Sequence, residues 1–139
     1  MMNFKNEDGN IVIEGVGLTF KLLVISVIFF QLSVYLIMVS RLNIAIDETI
    51  RRASIEGCIR KEYLYEQLSH QGIDSNLVTI IDVEPSLDKR VKNLGDRLFL
   101  EIKLRYPVEF SSMWNLNTYI TYRKEGINEG YYGEGYFKD

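Results

Sequence analysis

Glu14 is the one charged residue between Asn10 and Phe20, and it stands at the mouth of a long apolar run. A carboxylate at the edge of a low-dielectric layer is costly unless it is paired, so its natural chemistry is ionic pairing. A plainer reading also has a physical basis: an acid near a helix N-terminus is favoured by the helix dipole. The other reactive residue types assemble into nothing. Cys58 and His70 are the only cysteine and histidine, so no disulfide forms within the chain and no Cys–His or Ser–His–Asp arrangement has a distinctive starting point. A zinc site is not expected from one His and one Cys. The adjacent acids Asp47 and Glu48 lie beside Arg51 and Arg52 and read as surface charge. No phosphate-binding glycine loop or dinucleotide fingerprint occurs. The chain reads as a non-enzyme without a cofactor.

The net charge is −3 and the pI about 5.3, which argues against a protein built chiefly to grip nucleic acid. Basic pairs at Arg51-Arg52, Arg60-Lys61 and Lys89-Arg90 are surrounded by acids. Aromatic residues near the C-terminus lack a basic groove around them, and no nucleic-acid partner is expected.

The element that positions Glu14 is the run 22–40, Leu-Leu-Val-Ile-Ser-Val-Ile-Phe-Phe-Gln-Leu-Ser-Val-Tyr-Leu-Ile-Met-Val-Ser, bounded by Lys21 and Arg41. It holds no charge. As a helix it is about 28 Å long, close to a bilayer core. Its apolar residues fall on all sides, with only scattered Ser and Gln. The competing reading, a helix buried in a soluble core, asks a chain of 139 residues to wrap it on every side. Residues 10–41 therefore read as one membrane span. Residues 1–9 are polar and are not a secretory signal, because the apolar stretch is too long and no small-x-small cleavage site follows.

Gly9, four residues, Glu14 and then an apolar helix resemble the class III signal of type IV pilins and pseudopilins. The resemblance implies a leader, residues 1–9, cut by a prepilin peptidase between Gly9 and Asn10. Glu14 then becomes the fifth residue of the mature chain. It implies that Glu14 neutralises the new amine of a neighbouring subunit and sets the registry of an assembly, since the two charges attract strongly in a low dielectric. The leader differs from most of that family in holding one Lys against two acids, and Asn10 and Gly15 replace commoner residues. Residues 9–60 also resemble the TadE-like pseudopilins of Gram-positive bacteria, in which a Glu-bearing span runs into a helix rich in small residues and Arg. Here that helix is Asn43-Ile-Ala-Ile-Asp-Glu-Thr-Ile-Arg-Arg-Ala-Ser-Ile-Glu-Gly57.

Beyond the span, residues 42–71 are predicted to continue the same helix as an amphipathic segment. Ile46, Ile50, Ala53 and Gly57 share a face. Ala53 and Gly57 allow a backbone to approach closely, either the domain's own sheet or a neighbouring helix. Cys58 is placed in this helix as a buried small residue, with an intermolecular bridge as the alternative. Gly72 ends the helix and Asp74-Ser75-Asn76 forms a turn. Leu77–Glu84 is a strand with Leu77, Thr79, Ile81 and Val83 on one face, closed by Pro85. Residues 86–96 are a charged connector. Leu98–Phe110 is the clearest strand, with Leu100, Ile102, Leu104 and Tyr106 opposite Glu101, Lys103 and Arg105. Pro107 bends it or places it at an edge. Asn117–Lys124 is a third strand. The tail from Glu125 is a loose strand, a contact arm or a disordered terminus, and Tyr131, Tyr132 and Tyr136 are candidate interface residues.

The fold class that follows is α+β: one long N-terminal helix packed on a small antiparallel sheet of three to four strands, the latter within residues 72–139. The expected function is that of a minor pilin or pseudopilin of a Tad-like or related filament, secretion or DNA-transfer apparatus. Its partners are the membrane, a prepilin peptidase and other pilin-like subunits. The alternative is an uncleaved bitopic membrane protein whose small extracytoplasmic domain binds a partner. Arg41, Arg51 and Arg52 after the span favour a cytoplasmic C-terminal domain by charge count. That rule is weak for a long folded domain, and the resemblance puts the domain outside.

Overall fold

The computed structural model describes residues 7–90, 93–111 and 114–130. The elements are helix α1 (Glu7–Glu56), helix α2 (Lys61–His70), a 3-10 turn (Ser75–Leu77) and strands β1 (Val78–Glu84), β2 (Arg97–Ser111) and β3 (Trp114–Ile127). By contacts the chain divides into two units, Met1–Ile37 and Met38–Asp139.

In the first unit every residue from 11 to 30 is exposed. Its side chains are mostly Val, Ile, Leu and Phe, so this helix presents apolar surface all round. It is long and apolar enough to cross a membrane. Thr19, Ser26 and Ser33 do not break the pattern. Their hydroxyls donate to the carbonyls of Gly15, Leu22 and Phe29, four residues back, at 2.8–2.9 Å. Each hydroxyl is thereby satisfied inside its own helix.

In the second unit α1 is two-faced. Leu42, Ala45, Ile46, Thr49, Ile50 and Ala53 are at most 3% exposed and recur at the three- and four-residue spacing of one helical face. Thr49 is tolerated there because its hydroxyl donates to Ala45 O at 2.7 Å. This face packs on a three-stranded antiparallel sheet of order β1-β2-β3. The central strand contributes Leu98, Leu100, Ile102 and Leu104, none more than 1% exposed, and β3 contributes Ile120. The fold is α+β, a long N-terminal helix with its C-terminal part on a small antiparallel sheet.

Helix α1 does not run on through residue 71. It stops at Glu56, and Gly57 takes a left-handed φ of 65°. A residue without a β-carbon adopts that conformation at little cost, which makes it a natural helix terminator. Cys58 consequently lies outside any helix and forms an isolated antiparallel bridge with Arg90. The connector does work that its charge alone did not suggest. Asp88 N–H donates to Ile59 O at 2.9 Å, and Asp88 Oδ1 accepts from Lys61 N–H at 3.0 Å. A carboxylate from a distant loop therefore caps the start of α2, where the helix dipole favours it. At the other end of α2, Ile73 N–H reaches Leu68 O and Gly72 N–H reaches Ser69 O, both at 2.9 Å, with Gly72 at φ 70°. This is a Schellman stop, and Leu68 and Ile73 supply its buried apolar contact. Asp74 then accepts from Asn76 N–H at 2.9 Å and starts the 3-10 turn.

The face expected for β1 is wrong in its middle. Thr79 and Ile81 are exposed, while Val78, Ile80 and Val83 are partly covered. The cause is a β-bulge: Ile80 pairs with Ile102 and Asp82 with Glu101, so Ile81 is an extra residue and the alternation slips by one. Pro107 lies in β2, the central strand. The β1 register ends at Val78 opposite Leu104, so pairing with β1 has stopped before Pro107, and the missing N–H takes no bond from that ladder. Strand β3 extends past Lys124 to Ile127.

Candidate functional site

Three places hold the sequence's candidate residues, and each is built differently. The first is the start of α1. Gly9, Asn10 and Glu14 all lie within this helix. Glu14 is exposed, and among the described residues it makes no ion pair or hydrogen bond within the chain; the same is true of Lys21. Gly15 and Gly17 have nothing within 4 Å of the position a side chain would take. Nothing inside the chain explains two glycines in a helix interior, where each costs about 1 kcal/mol relative to alanine. Gly15 opens a shallow apolar groove with Val12, Val16, Thr19, Phe20 and Leu23.

The second place is the seam of α1 and β3. Ala53 is 1% exposed on this seam. The closest approach belongs to a residue that sequence reading left in the tail: a β-carbon on Gly126 would lie 2.7 Å from Ile50 Cγ2 and 2.7 Å from Ser54 Oγ. A glycine ending an alternating strand is the signal that marks such an approach. Glu48 pairs with Arg51 at 3.7 Å as surface charge, while the half-exposed Asp47 turns to β3. Its Oδ1 accepts from Tyr122 Oη at 3.3 Å and from Lys124 Nζ at 3.1 Å. Burial, reinforced by the Asp47 charge, raises the Tyr122 pKa above its ordinary value. The hydrogen bond and charge of Asp47 do the same for Lys124. Asn128 closes the seam. It is 3% exposed, its Nδ2 donates to Asn93 O at 2.8 Å, and the next residue's N–H donates to Ser54 O at 2.9 Å. The start of the expected loose tail is thus anchored. Tyr131, Tyr132 and Tyr136 lie outside the described residues.

The third place is the break after α1. Gly57 is buried, and its conformation ends the helix rather than opening a packing groove along it. Cys58 is 9% exposed, and burial, then the charge of Asp88, raises its thiol pKa. Glu56 bonds Arg52 at 2.7 Å and Arg60 at 2.9 Å, and Arg52 lies 4.3 Å over the Tyr63 ring. The Glu56 hydrogen bond raises the Arg52 pKa further. This knot ties the two helices together.

On the open face of the sheet, Lys103 lies 4.1 Å over the Tyr119 ring and Arg123 4.6 Å over Phe99. Such cation–aromatic pairs stabilise a solvent-facing sheet modestly. His70 is 3.9 Å from Glu66 on α2. Among the described residues no group of three or more His, Cys, Asp or Glu side chains could hold a metal ion. The chain matches no known family model, no curated protein and no solved structure.

Proposed function

We propose that this chain is a single-span membrane protein that serves as a pilin-like structural subunit, a minor pilin or pseudopilin of a Tad-like or related filament, secretion or DNA-transfer apparatus. One observation supports this most: an exposed carboxylate without a partner among the described residues, Glu14, on an apolar helix five residues after Gly9. The apolar surface of residues 11–30 needs lipid or other helices, and the acid needs a cation. Cleavage between Gly9 and Asn10 supplies that cation as the amine of an adjacent subunit. The small domain stands outside the cell membrane and the leader inside. In the second unit the buried face of α1 is already covered by its own sheet, so lateral assembly falls to the first part of the helix.

The test is the mature protein from its native host. Mass spectrometry should show Asn10 as the first residue. Glu14→Ala should leave the sheet domain folded and reduce incorporation into assemblies at least tenfold. Normal incorporation of that variant counts against registry by Glu14. A second reading draws on the self-contained core of the Met38–Asp139 unit: an uncleaved bitopic protein whose domain binds one partner. An intact leader on a protein that stays monomeric in lipid selects that reading.

A further inference from the structure

Glu14 is not the only stranded charge on this helix. Lys21 is exposed, lacks a partner among the described residues, and is flanked by the apolar side chains of Val16, Leu18 and Phe20 before it and of Leu22 to Ile25 after it. The two residues are seven apart. Seven residues of α-helix rise about 10.5 Å and turn about 20° short of two full turns, so both side chains leave the same face. They are too far apart to pair inside one helix, where ion pairs form at three- or four-residue spacing. Gly17 lies between them on that face, three residues after Glu14 and four before Lys21. It presents open space where a side chain would stand.

We infer that Glu14 of one copy pairs with Lys21 of the adjacent copy, staggering neighbouring helices by seven residues with Gly17 at their closest approach. The inference rests on the proposed side-by-side assembly and assigns its registry a second residue. Two parallel helices in register would set Glu14 against Glu14, a like-charge contact. A seven-residue shift, about 10.5 Å, brings opposite charges to one height. Small residues let helix backbones approach in a membrane, where an ion pair gains most from the low dielectric. The contact is heterologous, since Glu14 of one copy meets Lys21 of the next and not the reverse, so it does not close as a twofold dimer.

The experiment uses the chain beginning at Asn10, the form that the proposed cleavage leaves, in phosphatidylcholine vesicles, with isotopically heavy and light copies mixed. A water-soluble carbodiimide joins a carboxylate to an amine it touches, and mass spectrometry finds the link. The expected product is a Glu14–Lys21 amide between heavy and light copies. Lys21→Gln should cut self-association at least fivefold. Glu14→Lys and Lys21→Glu should each do the same, and the double swap should return to within twofold of the original. If Glu14 links only to the amine of Asn10, or Lys21→Gln assembles normally, the inference falls and the proposed function stands. A double swap as defective as Glu14→Lys alone also overturns it. If the unaltered protein stays monomeric, the proposed function falls with it.

Discussion

Gly126 of β3 and Ile50 of α1 touch so closely that one methyl group does not fit between them: a β-carbon on Gly126 would lie 2.7 Å from Ile50 Cγ2. Ser54 Oγ would lie at the same distance, so the added carbon meets two side chains one turn apart on α1. Overpacking of this kind costs about 1–3 kcal/mol. Gly126→Ala should therefore destabilise the sheet domain by that amount, read as a lower denaturant midpoint for exposure of the buried Cys58 thiol. Gly17→Ala, which meets nothing within 4 Å, should leave that midpoint unchanged.

Asp47 ties α1 to β3 through two groups that both hold their protons more tightly in the folded state. Tyr122 does so chiefly through burial and Lys124 chiefly through its hydrogen bond to Asp47. The unfolded chain loses those protons first, from ordinary values of 10.0 and 10.5. Stability from both groups is thus complete below pH 10 and falls as pH rises through the folded-state values. Denaturation midpoints between pH 8 and 11.5 should show this alkaline loss. Asp47→Asn should flatten the fall, and burial of Tyr122 should leave a remnant. Tyr122→Phe should cost about 0.5–1 kcal/mol at neutral pH, the value of one ordinary hydrogen bond.

The large periodic features were legible from residue order. The alternation of Leu98, Leu100, Ile102 and Leu104 placed β2, and the spacing of Ile46, Ile50 and Ala53 gave the packed face of α1. What escaped depends on partners distant in sequence. Asp88 reads as one more acid in a charged connector until its carboxylate is seen 3.0 Å from Lys61 N–H. Gly126 reads as tail until Ile50 is placed against it. The bulge at Ile81 inverts an alternation that was otherwise regular, because one unpaired residue shifts every side chain after it. Gly57 was noticed for its size, whereas its use lies in its backbone angle. Glu14 stands out in the residue order as the one charge at the mouth of an apolar run, and it makes no pair among the described residues.

Gly57 supplies a second separable test. Its φ of 65° is left-handed, and a β-carbon there is strained by about 1–2 kcal/mol. Gly57→Ala should destabilise the domain by about that much, and Gly57→Asn by less, since asparagine tolerates the conformation better. A thermal melt of the two variants beside the original should rank them in that order. Were the residue needed chiefly for its small size, Asn would be the more damaging of the two.

Asp88 acts on α2 and on Cys58 at once, with consequences that can be measured apart. Its carboxylate caps the first turn of α2 through Lys61 N–H, and its charge adds to the burial that raises the Cys58 thiol pKa. In the folded protein Cys58 should alkylate slowly at pH 8, because the thiolate is the reactive form and both effects disfavour it. Asp88→Asn keeps a cap acceptor and removes the charge, so the thiol should titrate lower than in the original while burial holds it above its ordinary value of 9.0. Asp88→Ala removes both and should cost about 1 kcal/mol of stability, the usual loss of an N-terminal helix cap. Alkylation rates across pH 7–10 report the first effect and denaturant midpoints the second. If Asp88→Asn shifted neither the alkylation profile nor the midpoint, the charge of Asp88 would have no influence at Cys58, and its role would be confined to the cap.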